Sequence, residues 1–456
     1  MNSSTLSDGS SHRGGGLLRP KPLMKGRMSS ASRLPATSGN TRPEPPVLAL
    51  DLTALWNRPI QGIQRVIREV TPLLIRDAIH RGWDVIGVRT KRSHQRMIQH
   101  WSSIEAVSHV PKDLNRIAAG IEVHEGVLYA NARNQIRRRI EAYREAAREH
   151  HDRVSSFSRM PAWLRQVRSH WLGRKPAEPI TADAYLTFAA GILPAMVLPS
   201  VPPERSVYVL HDLIPLQFPA FYPAKMRRGF FNNLGDLALA PDLHRRRIVT
   251  ASQHVATDIQ RLLQGLVRTE IDVDLISWGY DAETFYPEPD PSFRQRHGIP
   301  DGPPVVVAVS TQDPRKRFAE IADAVQQLDA YAVFLGKGTA RREGNAIYLG
   351  HVSDAVVRQA YSSSDVVVNW SAAEGFGLPT IEALACGSRV VIPPDNPTLK
   401  EVGGTYATVA PEASVTGLCT AIQRAVSQPR QTPDLSAYCW QQTAQRLSAM
   451  LWPESA

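Results

Sequence analysis

The sequence is poor in cysteine and has no long apolar run, and both shortages limit the kind of protein it can encode. Its three cysteines, Cys386, Cys419 and Cys439, form neither an even set for a disulfide framework nor a spacing typical of metal ligands. We therefore expect buried thiols in a reducing compartment. No apolar stretch reaches the roughly 18–20 residues that cross a bilayer, and the nearest, Ala189–Val201, is interrupted by two prolines. A membrane-spanning protein is not expected.

Positive charge is concentrated in two segments of the chain. The formal net charge is +10, of which residues 1–45 contribute +5 and residues 131–175 contribute +8. The rest of the chain therefore carries −3. A nucleic-acid-binding protein would interleave basic and stacking aromatic residues over its body, and this body does not. We expect no nucleic-acid partner.

The two basic segments call for different interpretations. Residues 1–45 are rich in Ser, Gly and Arg without an apolar period, which is typical of a disordered tail. Their shortage of acidic residues also resembles an organelle transit peptide. Residues 131–175 place Arg among Trp and Leu at helical spacing. Such a pattern suits an interfacial membrane helix, and it suits a solvated charged insertion equally well.

Alternating strand and helix patterns predict an α/β protein with two doubly wound domains. Short apolar strands are predicted in two consecutive series: Val47–Asp51, Trp83–Val88, Ala184–Phe188, Val207–Leu210, Ile248–Ala251 and Val273–Ile276, then Val305–Val309, Tyr331–Leu335, Ala346–Leu349, Val366–Asn369 and Arg389–Ile392. Helical patterns separate most of them, as in parallel βα units. Prolines crowd residues 278–300, where we place the boundary. The predicted units are a domain over 46–277, a second domain over 278–435, and a terminal segment over 436–456 that is helical from Ser436 to Leu451.

The stretch Asn369–Ala383 carries the densest chemical signal. A strand ends at Asn369, a loop with two glycines follows, and Pro379 suits the first turn of a helix. The N-terminus of a helix offers unpaired N–H groups and a positive dipole end to phosphate. Gly375 and Gly377 allow a ligand to approach the backbone. Glu374 lies in the loop. Glu382 lies one turn into the helix, where its carboxylate is suited to accept hydrogen bonds from ribose hydroxyl groups.

This stretch resembles the signature of retaining glycosyltransferase family 4, in which two glutamates are separated by seven residues. The resemblance implies the GT-B fold, with two Rossmann-like domains facing each other across a cleft. It places nucleotide-sugar binding at the signature's second glutamate and at Gly375, Phe376, Gly377 and Leu378. The segments 182–451 and 47–120 are similar to the family, whereas residues 131–175 and the tail have no recognised counterpart.

The resemblance also implies roles for residues outside the signature. Arg315 and Lys316 stand where the family has two cations that stabilise the diphosphate leaving group. Gly62 stands in the glycine turn before the first helix, where the donor phosphate comes close. His211 begins a His-Asp-Leu-Ile-Pro sequence that resembles bacterial mannosyltransferases, and it is placed to contact the sugar or the acceptor; a core histidine bonded to the backbone is the alternative. Arg317 replaces a small or amide residue, which leaves open which basic residue reaches the phosphate.

Taken together, the resemblance implies a metal-independent hexosyltransferase without a bound cofactor. We predict catalytic roles for Glu374, His211, Arg315 and Lys316. GDP-mannose is the favoured donor, and the acceptor is a saccharide or a polyprenyl-diphosphate-linked sugar of the bacterial envelope. The basic segments favour an anionic membrane surface on the cytoplasmic side as a partner. A sugar-nucleotide epimerase of the same fold is the alternative function, and a nucleic-acid-binding protein is a more distant one.

Overall fold

A computed structural model describes residues 45–55, 61–91, 94–118, 182–188, 201–238, 242–267, 270–310 and 313–452. The predicted basic segments, 131–175 and all of 1–45 except Pro45, lie outside these residues, so their predictions stay untested. The described residues, from Pro45 to Trp452, belong to one compact unit.

The first half of this unit is built on a seven-stranded sheet. Its strands are β1 Val47–Asp51, β2 Asp84–Lys91, β3 His94–Trp101, β4 Ala184–Thr187, β5 Ser206–Val209, β6 Arg247–Thr250 and β7 Val273–Leu275, in the order β3-β2-β1-β4-β5-β6-β7. All neighbours are parallel except β2 and β3. The described helices are α1 Gln61–His80, α2 Ile104–Val107, α3 Val110–Ala118, α4 Ile214–Gln217, α5 Ala224–Ala238 and α6 Gln253–Val267. On α1, a buried stripe at helical spacing, including Val66, Val70 and Leu74, packs into the core.

The second half repeats this plan. Its strands are β8 Val305–Val309, β9 Tyr331–Leu335, β10 Arg341–Glu343, β11 Ala346–Gly350, β12 Val366–Val368, β13 Val390–Ile392 and β14 Ala407–Val409, in the order β10-β11-β9-β8-β12-β13-β14. Only β10 runs antiparallel to its neighbour. The helices are α7 Phe293–Arg296, α8 Phe318–Gln327, α9 Asp354–Ser363, α10 Leu378–Ala385, α11 Pro397–Gly403, α12 Val415–Ser427 and α13 Trp440–Leu451. The predicted α/β class with two doubly wound sheets is confirmed.

The strand order fixes where each half can bind a ligand. The chain switches direction across the sheet between β1 and β4 in the first half, and between β8 and β12 in the second. Ligands of open α/β sheets bind beyond the carboxyl ends of the strands at such a switch point. The loops after β8 and β12 contain Arg315 and Glu374, so two predicted site residues lie at the switch point of the second sheet.

The two halves share packed surfaces. One cluster of buried apolar side chains includes residues of both sheets together with Trp278 and Phe285. Helix α13 follows the second half in the chain but packs against α1 of the first. Gly279 permits this return, because a Cβ there would lie 2.3 Å from the backbone nitrogen of Trp440.

Three strands and several helices were not predicted. Strands β3, β10 and β14 are edge strands, and β3 and β10 are largely polar, so none of the three offers the long apolar run on which the prediction relied. Helix α11 was missed as well. The terminal helix begins at Trp440 and not at Ser436, because the preceding backbone pairs elsewhere: Tyr280 N–H donates to Tyr438 O at 3.3 Å.

The cysteine prediction was partly wrong. All three cysteines are free, but only Cys386 is buried, whereas Cys419 and Cys439 are half-buried. Among the described residues, no helix is long and apolar enough to cross a membrane.

Candidate functional site in the cleft

The loop between β12 and α10 has a backbone that requires its glycines. Gly377 has a φ of 101° and precedes the first residue of α10, which starts at Leu378, one residue before the predicted Pro379. A Cβ on Gly377 would also lie 2.6 Å from a methyl group of Leu399. Phe376 and Leu378 are buried in the apolar core, so they shape the loop by packing.

Gly375 lies against the first half of the protein. A Cβ at this position would lie 2.4 Å from the carbonyl oxygen of His211. The sequence predicted that a ligand would approach the backbone at this glycine; in the structure the closest atom belongs to the loop after β5. Gly375 therefore lets the two halves come together beside Glu374.

Glu374 forms an ion cluster with the two predicted cations, which we call the Glu374 cluster (Arg315, Lys316, Glu374). Lys316 Nζ donates to Glu374 Oε1, and Arg315 Nη1 lies 3.3 Å from Oε2. The three side chains are only 9–11% exposed. Arg315 also donates to the carbonyl oxygen of Ala373 and lies 3.3 Å from Ser371 Oγ, so its guanidinium is held by the loop on several sides.

A capped turn holds the cations in place. Asp313 precedes a short 3-10 turn, Pro314–Lys316, and its Oδ1 accepts the Arg315 N–H at 3.0 Å. The Arg315 carbonyl accepts the Ala372 N–H at 2.9 Å, which ties this turn to the loop that carries Glu374. Arg317 has a left-handed backbone and pairs with Asp395 at 2.7 Å, so it lies outside the cluster.

The cluster keeps its charges although it is buried. Burial alone would raise the pKa of Glu374, but Lys316 and Arg315 reverse this and hold it below its ordinary value. Burial lowers the pKa of Lys316, and Glu374 opposes that effect. Burial also acts against charge on Arg315, but Glu374 and its acidic neighbours leave the pKa of that residue raised. Two cations and one carboxylate carry a net positive charge, which suits an incoming anion.

Glu382 is buried in α10 and forms a second ion cluster, the Glu382 cluster (Arg65, Asp354, Glu382). Arg65 of α1 donates to Glu382 through Nη1, and its Nη2 lies 2.6 Å from Asp354 Oδ1. Burial raises the pKa of Glu382, and the pairing with Arg65 opposes the rise only in part. The partner predicted for Glu382 was a ribose; in this structure its carboxylate is bonded to a side chain from the other half.

Arg65 was missed at the sequence level. It lies three residues after Gly62, but nothing in its local pattern indicates a partner 317 residues away. Gly62 itself lies in the first turn of α1 and is exposed, and a Cβ there would meet nothing within 4 Å.

His211 is a buried histidine bonded to the backbone. Its Nε2 lies 2.8 Å from the carbonyl oxygen of Phe188, and its ring packs 5.8 Å from Trp278. Burial lowers the pKa of His211 to about 4, so the ring is neutral at physiological pH. Nε2 therefore donates to Phe188, and Nδ1 is the unprotonated nitrogen of the ring.

A cavity of about 280 Å³ lies between the two halves and adjoins Glu374. We call it the cleft cavity. Its lining residues come from the loop and helix after β5, the start of α6, the Glu374 loop and the start of α11: Asp212, Leu213, Ile214, Gln217, Phe218, His254, Val255, Asp258, Ala372, Ala373, Glu374, Asp395, Asn396, Pro397 and Thr398. Within the described part of the chain, no group of three or more His, Cys, Asp or Glu side chains is arranged to hold a metal ion.

Most of the residues that form this site lie in a segment that matches a known protein family. Residues 289–442, which contain the second sheet and the residues of both clusters except Arg65, match the family described as Glycosyl transferases group 1. The family resemblance predicted from the Glu374–Glu382 stretch is thereby confirmed over these residues.

Individual proteins are similar over different lengths. A GDP-mannose-dependent alpha-mannosyltransferase of Mycolicibacterium smegmatis is 30% identical over 138 residues, which are 29% of this chain and 35% of that protein. The match therefore spans about a third of the length of that curated relative. Among solved structures, HepE of Anabaena, in complex with UDP and glucose, is 15% identical with a TM-score of 0.48, covering 88% of this chain and 94% of that one. Sucrose-phosphate synthase of Thermosynechococcus elongatus is 14% identical with a TM-score of 0.47, covering 89% and 95%.

Proposed function

We propose that this protein is a retaining glycosyltransferase that moves a hexose from a nucleoside diphosphate sugar to an acceptor hydroxyl. The observation that carries the proposal is the Glu374 cluster. Within the segment that matches the group 1 glycosyltransferases, it places two buried cations and a carboxylate at the N-terminal end of α10. Cations and a helix N-terminus are what a departing diphosphate requires, because negative charge develops on it as the glycosidic bond breaks.

In the proposed reaction, the acceptor oxygen bonds to the anomeric carbon on the face from which the diphosphate leaves. The electron pair of the breaking bond passes to a diphosphate oxygen, which also takes the proton of the acceptor hydroxyl. Arg315 and Lys316 stabilise that oxygen and replace a metal ion. Glu374 holds the two cations in position and orients the sugar without forming a covalent bond. Glu382 accepts hydrogen bonds from the ribose.

GDP-mannose is the favoured donor. Two observations support it: the sequence beginning at His211 resembles bacterial mannosyltransferases, and the M. smegmatis relative is described as GDP-mannose-dependent. For the acceptor we propose a saccharide, free or linked to polyprenyl diphosphate, at the inner face of the cytoplasmic membrane. The basic segments 1–45 and 131–175 support this location by charge alone.

A panel of GDP- and UDP-sugars tests the proposal. The full-length protein is incubated with each donor, with and without a lipid-linked acceptor, and both nucleotide release and the sugar product are followed. We expect acceptor-dependent release, greatest with GDP-mannose, and unchanged activity in EDTA. Conversion of the donor without acceptor would instead indicate the epimerase. Loss of activity in EDTA that magnesium restores would contradict the metal-free mechanism.

The membrane proposal has its own test. The protein should co-sediment with anionic vesicles, release as salt rises, and stay in solution with neutral vesicles. Deletions of 1–45 and of 131–175, made separately, identify the segment responsible. If the tail deletion alone abolishes sedimentation, the insertion does not serve as the anchor.

A further inference from the structure

The N-terminus of helix α6, in the first half, is capped by a side chain of the second half. The N–H groups in the first turn of a helix have no partner within the helix. In α6, the N–H groups of Gln253 and His254 donate to the two carboxylate oxygens of Glu401, at 2.8 Å and 3.3 Å. Glu401 belongs to α11. The cap therefore exists only while the two halves lie together, and its negative charge also suits the positive end of the helix dipole.

A second contact joins the same two helices. Ser252 precedes α6, and its hydroxyl oxygen lies 3.5 Å from Thr398 Oγ1, with both side chains buried. The same hydroxyl accepts the Val255 N–H at 3.4 Å. Thr398 and Glu401 are three positions apart on α11, so they lie on one face of that helix. This face of α11 therefore holds the start of α6.

Helix α11 is connected in turn to the loop that carries the Glu374 cluster. The buried side chain of Asn396 precedes α11, and its Oδ1 accepts the Leu399 N–H at 3.1 Å. Its Nδ2 donates to the carbonyl oxygen of Ser371 at 2.8 Å. Ser371 Oγ lies 3.3 Å from Arg315 Nη1. A continuous series of contacts therefore runs from the start of α6, through α11, to one cation of the cluster.

The contact at Glu401 differs from the ion contact that Arg65 makes between the halves. Arg65 bonds to Glu382, the residue that the proposed function assigns to the ribose. Glu401 bonds to the backbone of α6 and belongs to neither ion cluster. A donor that displaces Arg65 therefore does not compete for Glu401, and this second contact is left in place.

We propose that Glu401 is a positioning residue for the transfer reaction, because its cap on α6 sets the position of the first half relative to the Glu374 cluster while the donor is bound. The proposal rests on the proposed function. A misplacement of about 1 Å is enough to lower a turnover rate strongly. The donor is assigned to residues of the second half, so loss of the cap should lower turnover without weakening the binding of nucleotide.

Amide hydrogen exchange tests the contact without measuring activity. In full-length Glu401→Ala, the amides at the start of α6 should exchange about tenfold faster than in wild type, because two N–H groups lose a charged acceptor. Glu401→Gln keeps one acceptor oxygen and should give an intermediate rate. Lys400→Ala, at an exposed position of the same helix, is the matched control and should exchange like wild type. Unchanged exchange in Glu401→Ala would overturn the proposal.

Kinetics test the positioning role. With GDP-mannose and the lipid-linked acceptor, well below the melting temperature of each variant, Glu401→Ala should lower kcat about tenfold. Its affinity for GDP, measured by calorimetry, should stay within about twofold of wild type, because Glu401 touches no nucleotide in the proposed mode. Glu401→Gln should recover part of the lost kcat, and Lys400→Ala should have the kcat of wild type.

Two results would contradict the positioning role: an unchanged kcat in Glu401→Ala, or a loss of GDP affinity as large as the loss of kcat. Either would show that the cap only supports the fold. Absence of transfer by wild type from every sugar nucleotide of the donor panel would instead contradict the proposed function. The exchange comparison would then still decide whether Glu401 joins the two halves.

Discussion

The two glutamates of the signature are eight positions apart and lie in opposite electrostatic surroundings. The Glu374 cluster has two cations for one carboxylate, and its residues come from two adjoining loops of one sheet. The Glu382 cluster has one cation for two carboxylates, and Arg65 reaches it from the other half. Accordingly, the pKa of Glu374 is lowered against the effect of burial, and that of Glu382 is raised by burial.

This contrast indicates which part of a nucleotide-sugar ligand suits each cluster. A net positive cluster suits the diphosphate, and a net negative cluster suits the uncharged, hydroxyl-bearing ribose. The Glu374 cluster is complete within the second half, so it can persist when the halves separate. The Glu382 cluster exists only while α1 lies against α10, so binding a ribose at Glu382 requires Arg65 to move or to share the carboxylate.

The largest effect is expected from removing either cation of the Glu374 cluster. Arg315→Ala and Lys316→Ala should each lower turnover about 10²–10³-fold, as the loss of a donor to developing negative charge does in other enzymes. Steady-state rates measure this, with thermal melts to check folding. Arg341→Ala, in the exposed edge strand β10, is the control. Rates equal to those of the control would exclude the cations from the reaction.

A smaller effect distinguishes two possible roles of Glu382, binding the ribose and joining the two halves through Arg65. Glu382→Ala should weaken nucleotide binding about ten- to hundredfold, because charge-assisted hydrogen bonds contribute about 1.5–3 kcal/mol. Asp354→Ala is the matched control, since it removes the other partner of Arg65 and is not expected to touch ribose. Arg65→Ala should leave affinity unchanged or improve it. If calorimetry gives the same loss for all three variants, the cluster only joins the halves.

Sequence patterns predicted the interior strands well because these strands are continuous apolar runs. Strand β8, Val305–Val309, is an example, with four of its five residues buried. Strands β3, β10 and β14 were not predicted, because edge strands do not need such apolar runs. The neighbourhood of Arg315 and Glu374 was predictable in outline, because carboxyl ends of parallel strands meet at the switch point.

The missed part of the site depends on how the two halves pack. Arg65 and Glu382 are 317 positions apart, and the oxygen nearest to Gly375 belongs to His211 on the other half. Local patterns carry no information about such contacts. They indicated that Gly375 needs space and that Glu382 needs a partner, but the partners follow from tertiary packing.

Acid titration gives the two glutamates opposite signatures. Glu374, with its lowered pKa, stabilises the fold above the ordinary value near 4.3, and this contribution is lost as pH falls through its folded pKa. The pKa of Glu382 is raised, so the contribution of Glu382 to the stability of the fold falls as pH rises through its folded pKa. Relative to wild type, Glu374→Gln should therefore lose stability as pH rises towards about 4.3, and Glu382→Gln should gain stability as pH rises above about 4.3. Thermal or urea unfolding from about pH 3 to about pH 7 measures this, and slopes of the same sign in these two ranges would contradict the contrast.

The smallest effect concerns Gly62, whose predicted role depends on a ligand and not on the fold. Its surroundings have room for a Cβ, and it lies within a helix, so Gly62→Ala should raise the free energy of unfolding by about 0.5–1 kcal/mol. Gly265→Ala, at another helical glycine with open space on α6, is the matched control and should do the same. The two variants should differ only in catalysis. If the donor phosphate approaches position 62, the methyl group introduced by Gly62→Ala lowers turnover although it raises stability. Equal turnover in both variants would show that no ligand comes close to α1 at this position, and the donor would then be bound by the second half alone.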